Sequence, residues 1–115
     1  RAIQSPESNN NFKLKISSLT EIQISDSSKK EFRAIVDNLG EKIASCKAML
    51  LASDLSTGKE FRLNEIKFES YPDSQLNIKF TVNQKLPPGK YALAAILDYG
   101  AKNNLEGTQM LLEVQ

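Results

Sequence analysis

The side chains that most often perform catalysis or bind metals are scarce in this sequence. It contains one cysteine, Cys46, and neither histidine nor tryptophan. Without histidine there is no Ser-His-Asp triad, Cys-His dyad or imidazole base, and zinc and copper sites usually need several Cys or His ligands. Carboxylate-pair and Ser-Lys chemistry remain possible by composition, but no spacing indicates either. We therefore predict no enzyme, no catalytic residue, no cofactor and no metal site.

Cys46 could be a reactive thiol or the partner in an intermolecular disulfide. It alternates with Ala48 and Leu50 in an apolar set, and there is no histidine to activate it. This pattern favours a buried structural cysteine.

The remaining candidates are groups of polar or aromatic residues. Asp37, Asp98, Tyr99 and Glu106 could form a carboxylate cluster, Phe68, Tyr71 and Tyr99 a sugar-binding platform, and Lys13, Lys15, Lys29 and Lys30 a basic patch. Calcium sites usually have closely spaced oxygen ligands, and no D-x-D-x-D run occurs. Aromatic residues pack in cores more often than they form platforms, and lysines on strands keep sheet edges solvated. We expect structural roles for all three groups.

The overall composition is that of one globular domain. The chain has 115 residues, 40% of them hydrophobic, and a net charge of +1. Nucleic-acid and anionic-membrane binders need a clear basic excess, so we expect neither partner, and no apolar run is long enough to insert into a membrane. Because the chain begins at Arg1, without Met or a signal peptide, we expect a processed chain or a piece of a longer protein.

Alternation of apolar and polar residues with a period of two dominates the chain and predicts strands. The apolar positions fall at 12–16, with Ile22 and Ile24 continuing after a break at Ser17–Ser18, and then at 32–36, 43–53, 61–68, 76–82, 91–99 and 110–114. Turn residues separate them. The segment 41–52 is also rich in helix formers, but its position between two strand patterns favours a strand. Residues 91–99 are apolar on both faces, which indicates a central strand covered on both sides.

Seven to eight short, mainly antiparallel strands with turns every 8–12 residues or so predict an all-β, immunoglobulin-like β-sandwich. We assign it to residues 12–115 and expect 1–11, with Pro6 and three consecutive asparagines, to be a linker or a disordered N-terminus.

Tyr91 follows the turn at Pro88-Gly89 and stands at a strand start. Sandwich domains often place a tyrosine there, whose hydroxyl bonds to nearby backbone. Leu93 occupies the position that antibody domains give to a disulfide cysteine, so we expect apolar packing instead of a disulfide.

Three pieces of the chain, EFRAIVDNLGEKIA, LLASDLSTGKEF and LPPGKYALAAILDYGAKNNLEGTQMLLEV, bear a family resemblance. Together they cover about residues 31–115 and resemble the C-terminal immunoglobulin-like domain of PapD-like, pilus-chaperone-related extracytoplasmic bacterial proteins. The resemblance implies a periplasmic, cell-surface or secreted location. It transfers no functional residue, since those chaperones bind subunits mainly through their N-terminal domain and the cleft between domains.

We therefore predict a non-catalytic immunoglobulin-like module of a larger extracytoplasmic bacterial protein. It would contact a protein partner or a neighbouring domain of the same chain, or act as a spacer. The alternatives are a pilus-chaperone-like domain and an accessory, carbohydrate-binding-type domain of a secreted enzyme; a loop-inserting protease inhibitor is a further one. An edge strand can bind a partner by pairing its free backbone N–H and C=O groups with an added strand, and we expect edges at 12–16 and 59–68.

Overall fold

Seven strands form two antiparallel sheets in the computed structural model, which describes residues 13–25, 28–99 and 105–115. The strands are β1 (Leu14–Ile22), β2 (Lys30–Asn38), β3 (Ala44–Asp54), β4 (Glu60–Ser70), β5 (Ser74–Val82), β6 (Gly89–Asp98) and β7 (Leu105–Val114). One sheet has the order β1-β2-β5 and the other β4-β3-β6-β7. The all-β sandwich is confirmed, and the helical alternative at 41–52 is wrong because β3 occupies it. The predicted linker at 1–11 lies outside the described residues, as do residues 12, 26–27 and 100–104.

The topology differs in one strand from an antibody constant domain. In an antibody constant domain, the fourth strand pairs with the fifth strand, in the sheet that also contains the first and second strands. Here β4 forms a hairpin with β3 in the other sheet, through a turn in which Gly58 adopts φ 78°. Asp54 closes this turn: its carboxylate accepts hydrogen bonds from the backbone N–H and hydroxyl of Ser56, at 2.9 and 2.8 Å. These bonds hold the pKa of Asp54 below its usual value.

The core lies between the sheets, because alternate residues of each strand point inward. Its fully or nearly fully buried members include Leu14, Ile16, Leu19, Phe32, Ala34, Val36, Cys46, Ala48, Leu50, Ile78, Phe80, Val82, Tyr91, Leu93, Ala95, Leu97 and Leu112. Leu93 is fully buried, which confirms apolar packing at the position where antibody domains have a cysteine.

Two bulges account for irregularities in the sequence pattern. In β1 the register with β2 shifts between Ser17 and Thr20, and Ser18 adopts φ 60°. One extra residue therefore moves the inward position to Leu19, so the inner alternation does not continue at Ile22 and Ile24 as we predicted. In β4, opposite Leu50 and Leu51, Leu63 is the extra residue, and the inward positions change from odd to even numbers.

A buried hydrogen-bond cluster around Asn38 joins the ends of the two sheets. Asn38 is fully buried at the end of β2, and its amide N–H groups donate to the carbonyl oxygens of Lys42 and of Ser70 on β4, both at 3.0 Å. Its side-chain oxygen accepts from the backbone N–H of Gly40 at 2.9 Å. Asn38 thus closes the turn after β2 through Gly40 and also contacts the second sheet through Ser70.

At the opposite end, Tyr91 forms the predicted tyrosine corner. The side chain is fully buried, and its hydroxyl donates to the backbone carbonyl oxygen of Pro87 at 2.5 Å. Its ring meets that of Phe61 edge to face, with 6.1 Å between centroids. Burial, and secondarily the charge of Asp54, raises the pKa of Tyr91, so the phenol remains a donor at neutral pH.

The described residues contain no helix, and so none that is long and apolar enough to cross a membrane.

Replacing Tyr91 with phenylalanine should lower the Tm by about 4–8 °C, since the hydrogen bond from the buried hydroxyl to the Pro87 carbonyl is lost while the ring remains. Differential scanning calorimetry measures this. Tyr71→Phe is the matched control, because the Tyr71 side chain is 53% exposed and should tolerate the change. Equal effects of the two substitutions would contradict the corner's role.

Asn38→Asp should lower the free energy of unfolding by about 3 kcal/mol or more, because it removes two buried donors and introduces a buried carboxylate. Urea denaturation at neutral pH provides the measurement. Asn77→Asp makes the same chemical change at an exposed position of β5 and should cost little. If Asn38→Asp lowered the free energy of unfolding only slightly, the cluster would not hold the sheet ends together.

Candidate functional site

Cys46 lies on the inner face of β3 and is almost completely buried. Its thiol has a weak contact with the carbonyl oxygen of Ala44, at 3.6 Å from sulfur to oxygen. Burial, and then the nearby charge of Asp98, raises the pKa of the Cys46 thiol to about 11. A reactive cysteine needs a lowered pKa and access to solvent, and Cys46 has neither. The structure thus confirms the predicted buried cysteine.

The four residues of the carboxylate cluster do not assemble into one site. Asp37 is on β2 in the three-stranded sheet, where it accepts a hydrogen bond from the side-chain amide of Gln75 at 3.0 Å. Asp98 and Glu106 are on β6 and β7 of the other sheet. Tyr99 is buried, and its pKa is raised by that burial and then by the charge of Glu106. Over the described ranges, no three His, Cys, Asp or Glu residues group as a metal site would require.

The aromatic residues differ too much in exposure to form a flat platform. Tyr71 is exposed, Tyr99 is buried and Phe68 packs half-buried against the core. A flat platform needs several exposed rings side by side, and of these three rings Tyr71 alone is exposed.

The lysines also fail to form one patch. Lys15 lies opposite Asp37 near one end of the β1-β2 ladder, whereas Lys30 is at the other end, about 20 Å away at the usual rise per residue. Lys30 forms an ion pair with Glu21, at 3.6 Å between nitrogen and oxygen. These lysines are solvated strand residues, as expected.

A cavity of about 570 Å³ opens between the sheets at the end where β6 begins. Phe32, Val82 and Leu112 line it, and all three belong to the core. Lys29 and Lys85 are also among its lining residues. The cavity is thus the open end of the core.

The sheet edges agree with the predicted ones. β1 and β4 are both edge strands, as expected for 12–16 and 59–68 as far as those residues are described, and β5 and β7 are the other two edges. Asn64 on β4 connects two of these edges, since its side-chain amide donates to the backbone carbonyl oxygen of Thr81 on β5 at 2.9 Å.

The outer face of the four-stranded sheet is unusually apolar. Met49 lies opposite Ile96, Leu51 opposite Ala94, and Leu111 opposite Ala92. We call Met49, Leu51, Ala94, Ile96 and Leu111 the outer apolar band. Leu111 is 74% exposed and the other four are half-buried. Gly107, opposite Ile96, has no side chain to cover it.

The outer face of the three-stranded sheet provides an internal comparison. It presents mainly Lys15, Arg33, Asp37, Gln75 and Lys79, with Ile22 and Ile35 as apolar members. Antiparallel sheets with one solvated face normally show this polar pattern. The outer apolar band is therefore a property of one sheet and not of the whole surface.

β6 is central, as predicted from its two apolar faces, but the described residues place a second layer only over its inner face. The prediction that it is covered on both sides is not met within this domain. The outer apolar band had a signal in the sequence: the run YALAAIL in β6, together with Leu111 beside Leu112 in β7. We did not interpret that signal as an interaction surface.

Comparison with known proteins identifies the fold. No protein-family model matches the chain, and no curated protein matches it. Among solved structures, it is similar to the CARDB domain of the PF1109 protein in complex with di-metal ions from Pyrococcus furiosus. The TM-score is 0.63 at 16% identity, covering 90% of this chain and 89% of that one.

It is also similar to part of the β-glucosidase DesR from Streptomyces venezuelae in complex with D-glucose. The TM-score is 0.65 at 11% identity, covering 90% of this chain but 15% of that one. β-Glucosidase 3B from Thermotoga neapolitana in complex with glucose gives a TM-score of 0.64 at 8% identity, with 89% and 16% covered. The chain thus spans about a sixth of these glucosidases. At such identities the likeness establishes the immunoglobulin-like fold alone.

The Cys46 thiol should react at least about 100-fold more slowly with Ellman's reagent in the native protein than in the unfolded chain at pH 8, because only the thiolate attacks. The rate of thionitrobenzoate release with and without guanidinium measures this difference. The native rate should rise with pH towards the thiol's pKa of about 11. A native rate close to the unfolded one would show an accessible, activated thiol.

Proposed function

We propose that this chain is a non-catalytic immunoglobulin-like module of a larger extracytoplasmic bacterial protein. It makes protein–protein contact by packing its outer apolar band against a neighbouring folded domain of the same polypeptide. The extracytoplasmic location follows from the resemblance to PapD-like proteins.

The observation that supports this proposal most directly is the contrast between the two outer faces. Burial of apolar side chains is favourable in proportion to the area removed from water. Contiguous exposed apolar patches rimmed by polar residues commonly mark interaction sites. Arg62 and Glu65 on β4 lie directly opposite Leu51 and Met49, and so provide a charged border on one side of the band.

The similar solved structures favour a domain of the same polypeptide as the occupant. In the β-glucosidases, the matched part is a small fraction of a long chain. A module of this size within a long chain has neighbours, and a flat apolar sheet face suits packing against one of them.

An accessory module of a secreted glycoside-cleaving enzyme is the second candidate, and the same glucosidase comparisons favour it. In that role the module would support a catalytic domain elsewhere in the polypeptide. Direct sugar binding by this domain has little support, because Tyr71 is the one well-exposed ring of the proposed platform. A pilus-chaperone-like role would require a second domain and a cleft.

Hydroxyl-radical footprinting should show Met49 and Leu111 labelled several-fold less in the full natural polypeptide than in the 115-residue chain, because the neighbouring domain covers the band. Mass spectrometry after proteolysis gives the rates for each residue. Tyr71 and Leu55 are internal controls, since both are exposed and lie outside the band.

Equal labelling of Met49 and Leu111 in the two proteins would contradict this packing. So would a natural polypeptide without another folded domain. A glycoside-cleaving domain in that polypeptide would favour the accessory role.

A further inference from the structure

The four edge strands are not equally protected against pairing with another chain. Natural proteins protect sheet edges with charges, bulges, prolines or covering groups. β1 has a bulge with Ser18 at φ 60° and carries Lys15 and Glu21. These features interrupt a regular row of backbone donors and acceptors, and so β1 is a poor template for an added strand.

β4 and β5 are protected as well. β4 has the bulge at Leu63, and its outward side chains are mostly charged: Glu60, Arg62, Glu65, Lys67 and Glu69. On β5, the Thr81 carbonyl is occupied by the Asn64 side chain, and Lys79 forms an ion pair with Glu31 at 3.8 Å.

β7 is the least protected of the four edges, because its described ladder has no bulge and its two charges, Glu106 and Glu113, lie near its ends. Its register with β6 is continuous from Gly89 opposite Val114 to Asp98 opposite Leu105. The six residues from Gly107 to Leu112 include no charge and no proline. Leu111 on this strand is the most exposed of the large hydrophobic residues in the described chain, at 74%. β1 lies beside β7 across the side of the sandwich, but its described ladder is with β2.

We propose that β7 pairs antiparallel with β7 of a second copy of this chain. The pairing joins the two four-stranded sheets into one continuous eight-stranded sheet. The twofold axis that relates the copies passes midway between Leu111 and the second copy's Leu111. A twofold arrangement is the commonest for homodimers and requires a self-complementary surface.

The charges of β7 select this register. With Leu111 opposite the partner's Leu111, Gln109 lies opposite the partner's Glu113, to which its amide can donate. Met110 then lies opposite the partner's Leu112, so apolar residues meet on the inner face. Centring the pair between Gln109 and Met110 would instead place Glu106 opposite the partner's Glu113 twice. Like charges directly opposite each other destabilise a strand pair.

This proposal does not depend on the proposed function. A second copy at the β7 edge lies in the plane of the sheet, whereas a neighbouring domain would cover the face of the sheet. One strand pair per copy buries a small area, so we expect a weak dimer that forms with rising concentration.

Analytical ultracentrifugation of the 115-residue chain from micromolar to millimolar concentration should show a monomer–dimer equilibrium. Leu111→Lys should raise the dimer Kd about tenfold or more, because two lysines then face each other across the axis. Its Tm should stay close to that of the original chain, since the Leu111 side chain is mostly in solvent.

Two lysine substitutions serve as controls. Leu55→Lys changes a leucine that is 56% exposed in the β3-β4 turn, and Met49→Lys changes the outer apolar band away from the edge. Both should dimerise like the original chain. Met49→Lys should nevertheless weaken domain packing if the proposed function holds, which separates the two ideas.

Hydrogen exchange locates the contact. Amides of β7 between Gly107 and Glu113 that point away from β6 should gain protection as the concentration rises. A chain that stays monomeric at all concentrations, a Leu111→Lys variant that still dimerises normally, or new protection at β1 or β4 would each overturn the proposal.

Discussion

The burial of one apolar face from each sheet is the interaction on which the whole structure depends. With a single cysteine, the chain has no internal disulfide to join its layers. The inward alternation of residues such as Phe32, Phe80, Leu50 and Leu93 must therefore supply the cohesion between sheets. Buried hydrogen bonds complete the two ends: the amide of Asn38 bonds to β4 at one end, and Tyr91 fixes the β5-β6 loop at the other.

The same alternation gives the two sheets outer faces of different composition. On the three-stranded sheet the outward positions are mostly charged or amide side chains, which water solvates well. On the four-stranded sheet the outward side chains of β4 are mostly charged, whereas central outward positions of β3, β6 and β7 form the outer apolar band. The edge of β7 adds an uncharged stretch, 107–112, beside it. Leu111 belongs both to the outer apolar band and to the β7 edge. Exposed apolar patches of this kind commonly mark interaction sites, and both proposals rest on this arrangement.

Much of the fold could be predicted from local patterns, because side-chain alternation in a strand is a property of the chain itself. The strand predicted at 43–53 is present as β3, Ala44–Asp54, although the segment is rich in helix formers, because the neighbouring strands and short turns favoured a strand. The bulges at Ser18 and Leu63 appeared in the sequence only as irregular spacing. Their consequence, an inward Leu19 and an Asn64 side chain bound to Thr81, depends on which strand lies opposite.

The sequence alone determined the fold class, the tyrosine corner at Tyr91 and the burial of Cys46, because each rests on residues close together in the chain. Sheet membership, the separation of Asp37 from Asp98, the Asn38 bridge and the weak protection of β7 were decided only by tertiary structure. These features join residues far apart in sequence, and their free energies depend on which strands become neighbours. A single strand pattern cannot encode that choice, since any exposed ladder can in principle accept several partners.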